Sequence, residues 1–200
     1  MRMCKCGAVL AGGKSKRFGS DKRFLKLGER TLIEIACDKI RANFERRYLV
    51  LDKDSNFEVP DFIILRDKID NRGPLVGVYS TLIEMVECFG CVFVPVDMPF
   101  IPNELLQFMS TLSDYDAVYI KFSDKIYPFP GYYSKRLIPL IESLIDFGKL
   151  SLKELLGEVK LKYEIDEKKL AEFGEPFGIL ANINVPEDFE LVKAIWFKWG

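Results

Sequence analysis

Leu10-Ala11-Gly12-Gly13-Lys14-Ser15-Lys16-Arg17-Phe18-Gly19-Ser20-Asp21-Lys22 hangs a glycine-rich, basic loop on the end of a short apolar run. Residues 6–10 read as a buried strand, and a helical pattern resumes only near Thr31, so the connection is long for a strand-to-helix link. Gly12 and Gly13 permit positive φ and close approach of a ligand, so successive backbone N–H groups can form an anion-binding concavity. Lys14, Lys16, Arg17 and Lys22 add charge suited to phosphate oxygens, and Arg17 can bind them as a bidentate fork. The stretch reads as a nucleoside triphosphate site.

Two other phosphate loops fail on spacing. A P-loop needs four residues between its glycines and then Lys-Ser/Thr; from Gly13 to Gly19 the gap is one residue too long, and Ser20-Asp21 follows. A dinucleotide fingerprint needs Gly-x-Gly-x-x-Gly, which the adjacent Gly12-Gly13 pair does not satisfy. Asp52, placed where a dinucleotide enzyme holds its ribose, then reads as a loop residue.

Working outward, Thr31 is a candidate helix N-cap with Glu34 as its capping-box partner, and Leu32, Ile35, Ala36 and Ile40 share one face. Residues 23–29 read as an extended segment ending in a turn at Gly28. Apolar runs at 48–51, 62–65 and 91–96 read as buried strands, and Pro74 is suited to the first turn of a helix. Asp97 closes the 91–96 strand. Ligands of open α/β sheets sit beyond the carboxyl ends of strands, so a carboxylate there can meet a phosphate-bound metal. A hard oxygen ligand of this kind suits Mg²⁺. A further helix follows Asn103, then a strand over 116–120 and a turn at Ser123-Asp124-Lys125. Residues 127–133 are expected to be extended, with pairing limited by proline. A helix over 137–147 follows, and Ser151 opens another with Glu154 in capping register. Residues 164–171 read as a polar connection, and 179–188 as a strand running into the terminal helix.

Composition sets the outer limits. A chain of 200 residues, 48% hydrophobic, has enough apolar material for one domain with a sizeable core. Its formal net charge of −1 argues against nucleic acid as a partner and makes any anion site local. No apolar stretch is long enough to span a bilayer and no leader is visible, so a cytoplasmic, membrane-free protein is expected. The complete absence of histidine removes Ser-His-Asp and Cys-His catalysis and imidazole metal sites. What is left is carboxylate, Lys, Arg and metal, the toolkit of phosphoryl and nucleotidyl transfer. Cys4, Cys6, Cys88 and Cys91 could supply four thiolates for zinc, but packed free thiols are the favoured reading, for Cys37 as well.

The opening stretch resembles the loop Leu-Ala-Gly-Gly-x-Ser-x-Arg-Met-Gly-x-Asp-Lys of the MobA-like nucleotidyltransferases, in particular the molybdenum cofactor guanylyltransferases. Gly73-Pro74-Leu75-Val76-Gly77 resembles their Gly-Pro-Leu-x-Gly, with Asp67 matching a nucleotide-binding Asp, and Asp97-Met98-Pro99 resembles their Asp-x-Pro. Asn182 and Asn184 match an Asn-x-Asn associated in that family with the pterin substrate. Two positions depart from the pattern: Tyr127 stands where the family usually has His or Gln, and Leu150 where a basic residue is common, with Lys149 beside it.

The resemblance implies a single-domain, doubly wound α/β fold with a mostly parallel, Rossmann-like sheet, an NTP-binding first half and an acceptor-binding second half. It implies transfer of GMP from GTP to molybdopterin or its molybdenum-loaded form with Mg²⁺, and transient contact with molybdoenzyme maturation proteins. Carried onto this chain, nucleotide binding falls to Leu10, Ala11, Gly12, Gly13, Ser15, Lys22, Asp67 and Asp97. Catalysis falls to Arg17, Lys22 and Asp97, metal binding to Asp97, and acceptor binding to Asn182 and Asn184. Relatives with Leu-Ala-Gly-Gly tend to use GTP, and cytidylyltransferase cousins tend to carry Leu-Ala-Ala-Gly, so the missing Cβ at Gly12 is expected to make room for a purine edge. A relative acting on a sugar phosphate or another cofactor precursor stays open at this level. So does a non-catalytic nucleotide-binding module, although the joint presence of Arg17, Lys22 and Asp97 argues against it.

Overall fold

The computed structural model describes residues 3–12, 21–66 and 73–199. In chain order the elements are β1 (Cys6–Leu10), a 3₁₀ turn (Lys22–Phe24), β2 (Lys26–Leu27), β3 (Arg30–Thr31), α1 (Leu32–Asn43), β4 (Arg46–Leu51), β5 (Ile63–Arg66), α2 (Pro74–Glu84) and β6 (Gly90–Pro95). They continue with α3 (Asn103–Thr111), β7 (Ala117–Phe122), β8 (Lys125–Ser134), a second 3₁₀ turn (Lys135–Leu137), α4 (Ile138–Asp146) and α5 (Leu152–Glu158). The chain closes with β9 (Lys162–Ile165), α6 (Glu167–Ala171), α7 (Pro176–Ile179) and α8 (Pro186–Trp199).

Seven strands form one sheet in the order β5-β4-β1-β6-β8-β7-β9, and β2 and β3 make a small hairpin apart from it. The β5-β4-β1-β6 half is parallel, β8 runs antiparallel to both neighbours, and β9 is parallel to β7. This is the mostly parallel α/β sheet expected from the sequence. The order reverses at β1, with β4 on one flank and β6 on the other, and an open sheet offers its ligand crevice at such a point.

Local chemistry explains most of these elements. Cys6 to Val9 in β1 and Gly90 to Val94 in β6 are fully buried, as continuous apolar strands covered on both faces should be. Gly7 leaves room for the Phe44 ring, against which a Cβ would collide. The capping box closes on α1 as expected: Thr31 N–H donates to Glu34 Oε2 at 2.7 Å and Glu34 N–H to Thr31 Oγ1 at 3.4 Å. Ser151 and Glu154 repeat it on α5. Pro74 occupies the first turn of α2, preceded by Gly73 at φ +79°, a left-handed geometry that favours glycine.

Residues 127–133 are extended as expected, inside the ten-residue β8, and the register shift between Val118 and Ile120 places Pro128 and Pro130 where the β7 ladder is interrupted, so their missing N–H groups cost no bond. Three other expectations need correction. Residues 164–171 carry β9 and α6, the latter capped by Asp166, which accepts from Lys169 N–H at 2.8 Å. No strand forms over 179–185; α7 ends at Ile179 and the chain crosses irregularly to α8, held by Ile183 N–H on the Asp97 carbonyl at 3.0 Å. Residues 23–29, read as extended, begin inside the first 3₁₀ turn, whose N-cap is Asp21.

The cysteines also differ from the packed-thiol reading. Cys6 and Cys88 are disulfide-bonded across 82 positions, with Cα atoms 6.3 Å apart, which takes two sulfurs out of the zinc set. Cys4, Cys37 and Cys91 are buried thiols, and burial pushes Cys4 up to about 11 and Cys37 up to about 12. Among the described residues no helix is long and apolar enough to cross a membrane.

Candidate active site

The site forms where β1, β4 and β6 end side by side. Val96 N–H donates to the Leu10 carbonyl at 3.1 Å and Ala11 N–H to the Val50 carbonyl at 2.9 Å, so the chain leaving β1 is pinned between its two neighbours. Ala11 is buried and Gly12 is exposed at the mouth. Gly13, Ser15, Arg17 and Asp67, with Lys14 and Lys16, lie outside the described residues.

The loop returns at Asp21, whose carboxylate accepts from Arg23 N–H at 3.1 Å and caps the 3₁₀ turn. That turn aims Lys22 across the end of β1. Lys22 Nζ donates to Asp97 Oδ2 at 2.6 Å and to the Ile183 carbonyl at 3.2 Å. Both side chains of the ion pair are about four-fifths buried, at 19% and 20% exposure, so the pair is screened less than a surface pair and its geometry is charge-assisted and short. The Asp97 carbonyl in turn accepts from Ile183 N–H.

Ile183 is fully buried, while Asn182 and Asn184 on either side of it are exposed. Asp188, in the first turn of α8, accepts from Asn184 N–H at 2.8 Å and Val185 N–H at 3.0 Å and fixes this crossing. The fold therefore brings Leu10, Ala11, Gly12, Lys22, Asp97, Asn182 and Asn184 to one rim. Behind Asp97, Lys39 Nζ of α1 donates to the Ile101 carbonyl at 2.6 Å; burial is the main force lowering its pKa to about 8.

Sequence reasoning missed Arg23 and left Asp52 as a loop residue. Arg23 is only 12% exposed and bonds to Asp21, Ala11, Asp52 and Ser55. No local signal marks it, because two of those partners lie 29 and 32 residues away. Next to the start of α2, Gly73 and Pro74 face Pro128, Phe129 and the 150–154 segment across an open groove of ≈ 690 Å³. Leu150 and Lys153 both line it.

A family model described as the MobA-like NTP transferase domain matches residues 7–162. The chain belongs to the MobA-like NTP transferase family. It is 30% identical over 194 residues to a probable molybdenum cofactor guanylyltransferase of Carboxydothermus hydrogenoformans, covering 94% of this chain and 95% of that protein. It is 30% identical over 185 residues to the molybdenum cofactor guanylyltransferase of Syntrophotalea carbinolica, covering 91% and 87%. Among solved structures, molybdopterin-guanine dinucleotide biosynthesis protein A of Archaeoglobus fulgidus superposes with a TM-score of 0.81 at 26% identity, covering 96% of this chain and 98% of that one. In this MobA-like transferase the matched span takes in Lys22 and Asp97, and Ile183, whose backbone bonds to both, comes from beyond it.

Proposed function

We propose that this enzyme transfers GMP from GTP to molybdopterin or its molybdenum-loaded form, giving the guanine dinucleotide and pyrophosphate. The observation that carries the reading is the double engagement of Lys22: the residue that closes the triphosphate loop holds both Asp97 and the backbone between Asn182 and Asn184. Donor-side and acceptor-side residues thus meet at one cation. The names carried by the relatives supply the base and the acceptor.

In the reaction an oxygen of the acceptor's terminal phosphate attacks the α-phosphorus of GTP, and the bond from that phosphorus to the β-bridging oxygen breaks. A phosphate is already an anionic nucleophile near neutral pH, so the lack of histidine is no handicap. The backbone at Gly12 and Gly13, with Ser15, cradles the triphosphate. Arg17 and Lys22 offset the charge that develops on the departing pyrophosphate, and Asp67 helps hold the nucleoside. Asn182 and Asn184 offer amide donors and acceptors to the pterin.

Mg²⁺ fits the donor set. Among the described residues no cluster of three or more His, Cys, Asp or Glu could cage a metal. One carboxylate at the end of β6, with substrate phosphates and water for the other positions, is the way Mg²⁺ is commonly held. Asp97 is that ligand, and the ion neutralises phosphate charge when bound. Residues 1–200 act as one domain, donor half first and acceptor half second, in a cytoplasmic enzyme that makes transient contact with molybdoenzyme maturation proteins.

The test incubates the purified protein with Mg²⁺, molybdopterin and each of the four NTPs, following pyrophosphate and the dinucleotide. Product with GTP alone is expected. No product with any NTP, together with turnover on a sugar phosphate, overturns the acceptor assignment.

A further inference from the structure

Arg23 follows the lysine of the site, yet its side chain turns away from Asp97 toward the β4 flank. Its Nε donates to both Asp21 oxygens at 2.8 and 2.9 Å and Nη2 to Asp21 Oδ2 at 2.6 Å. Nη1 donates to the Ala11 carbonyl at 3.0 Å, to Ser55 Oγ at 2.6 Å and, more loosely, to Asp52 Oδ2 at 3.3 Å. Ser55 Oγ donates to Asp52 Oδ1 at 3.0 Å, closing the set. The guanidinium carbon also lies 5.2 Å from the centroid of the Phe57 ring.

These partners are not a random surface network. Ala11 is where the chain leaves β1 for the triphosphate loop, Asp21 is where it returns, and Asp52 and Ser55 form the turn that follows β4. Lys22 and Arg23 therefore straddle the ends of three adjacent strands, Lys22 on the β6 side and Arg23 on the β1 and β4 side. Burial raises the Asp21 carboxyl, but the hydrogen bonds and charge of Arg23 outweigh it, and the net shift is downward.

We propose that Arg23 is a positioning residue for nucleotidyl transfer: its guanidinium fixes the distance between Ala11 and Asp21, the two described ends of the triphosphate loop, and ties both to the β4 turn, so that Lys22 is delivered to Asp97. The physical ground is pre-organisation. A flexible loop that must be ordered by its ligand loses affinity to that ordering, and a misplacement of about 1 Å at a reacting group costs about 100-fold in rate. Lysine cannot replace the arginine, because one ammonium lacks the planar fork that reaches Asp21 on one edge and Ala11 with Ser55 on the other.

The assignment rests on the nucleotide-binding reading, and the experiment separates the two. Equilibrium binding of each Mg²⁺–NTP and steady-state kinetics are measured for the wild type, Arg23→Ala, Arg23→Lys and Asp52→Asn, each checked for a cooperative melting transition. Arg23→Ala is expected to raise the Kd and KM for GTP about tenfold or more and to lower kcat, while the KM for molybdopterin moves less than about twofold. Arg23→Lys is expected to recover less than half of that loss. Asp52→Asn, which keeps the fold's other contacts to Arg23, is expected to shift the GTP KM in the same direction by a smaller factor. Guanidinium well below denaturing concentration is expected to restore part of the Arg23→Ala rate and none of the Asp97→Ala rate, a response that a general loss of packing does not give. Folded Arg23→Ala with GTP binding and kcat within twofold of wild type overturns the proposal, as does an equal loss for both substrates without rescue. If Arg23→Ala does not fold, an Asp52→Asn enzyme identical to wild type overturns it instead. A wild type that binds none of the four nucleotides removes the nucleotide reading itself.

Discussion

Lys22 and Asp97, 75 positions apart in the chain, meet through a 2.6 Å ion pair at the carboxyl edge of the sheet. The contact joins the loop that follows β1 to the residue that follows β6, and strand order makes them neighbours. The lysine and the carboxylate bond to each other across the end of the sheet.

Removal of that carboxylate separates binding from chemistry. Asp97→Ala is expected to lower kcat by about 10²–10³ while GTP binding measured without divalent metal stays within a few-fold of wild type. Paired turnover and equilibrium binding assays check this, and equal losses in both would place Asp97 in binding alone.

Gly12 sits exposed at the mouth of the loop, after the buried Ala11. A methyl group added there is expected to reduce kcat/KM for GTP by about tenfold or more and to narrow the preference over CTP, the scale of discrimination one methyl group commands in a fitted pocket. Gly12→Ala assayed with both nucleotides decides the point; unchanged rate and preference would show that the purine edge lies elsewhere.

Lys39 carries a pH signature. Its pKa falls from 10.5 to about 8 in the folded protein, chiefly through burial. Below about pH 8 the side chain is charged in both states, and burying that charge destabilises the fold in full. Between about pH 8 and 10.5 the folded protein sheds the proton that the unfolded chain still holds, so stability rises with pH; above 10.5 both states are neutral. Lys39→Met is expected to remove this rise, an effect of order 1–3 kcal/mol, in denaturant titrations at pH 7 and pH 10. A wild-type curve parallel to that of the variant would contradict it.

The Cys6–Cys88 disulfide is a matter of stability rather than catalysis. Cys6 opens β1, whereas the site gathers beyond Leu10 at its other end. Cross-linking over 82 positions restricts the unfolded chain, so Cys88→Ser is expected to cost about 2–4 kcal/mol. In a domain of this size that is a fall in melting temperature of roughly 4–16 °C. Activity well below the transition should be unchanged. Calorimetry of both proteins, each without reductant, tests the difference.

Legibility in the sequence followed the range of the interaction. The Thr31–Glu34 and Ser151–Glu154 capping boxes and Pro74 in the first turn of α2 all announce themselves within a few residues, because the physics that sets them is local. Asp97 was legible as the charged end of an apolar strand. What stayed hidden depends on distant partners. The charges of β9 obscured an edge strand that pairs in parallel with β7. Ile179 to Val185 has a strand-like composition but crosses to α8 without pairing, because its backbone is committed to Asp97 and Lys22. Arg23 could not be read at all without knowing that the turns after β1 and β4 lie side by side.

The most direct test of guanylyl transfer follows the label. Wild-type enzyme is given molybdopterin, Mg²⁺ and GTP labelled in either the α- or the γ-phosphate, and the products are separated. The account requires α-label in the pterin dinucleotide and γ-label in pyrophosphate. Label from the γ-position on the pterin, or α-label that leaves only as free GMP or GDP, would contradict it.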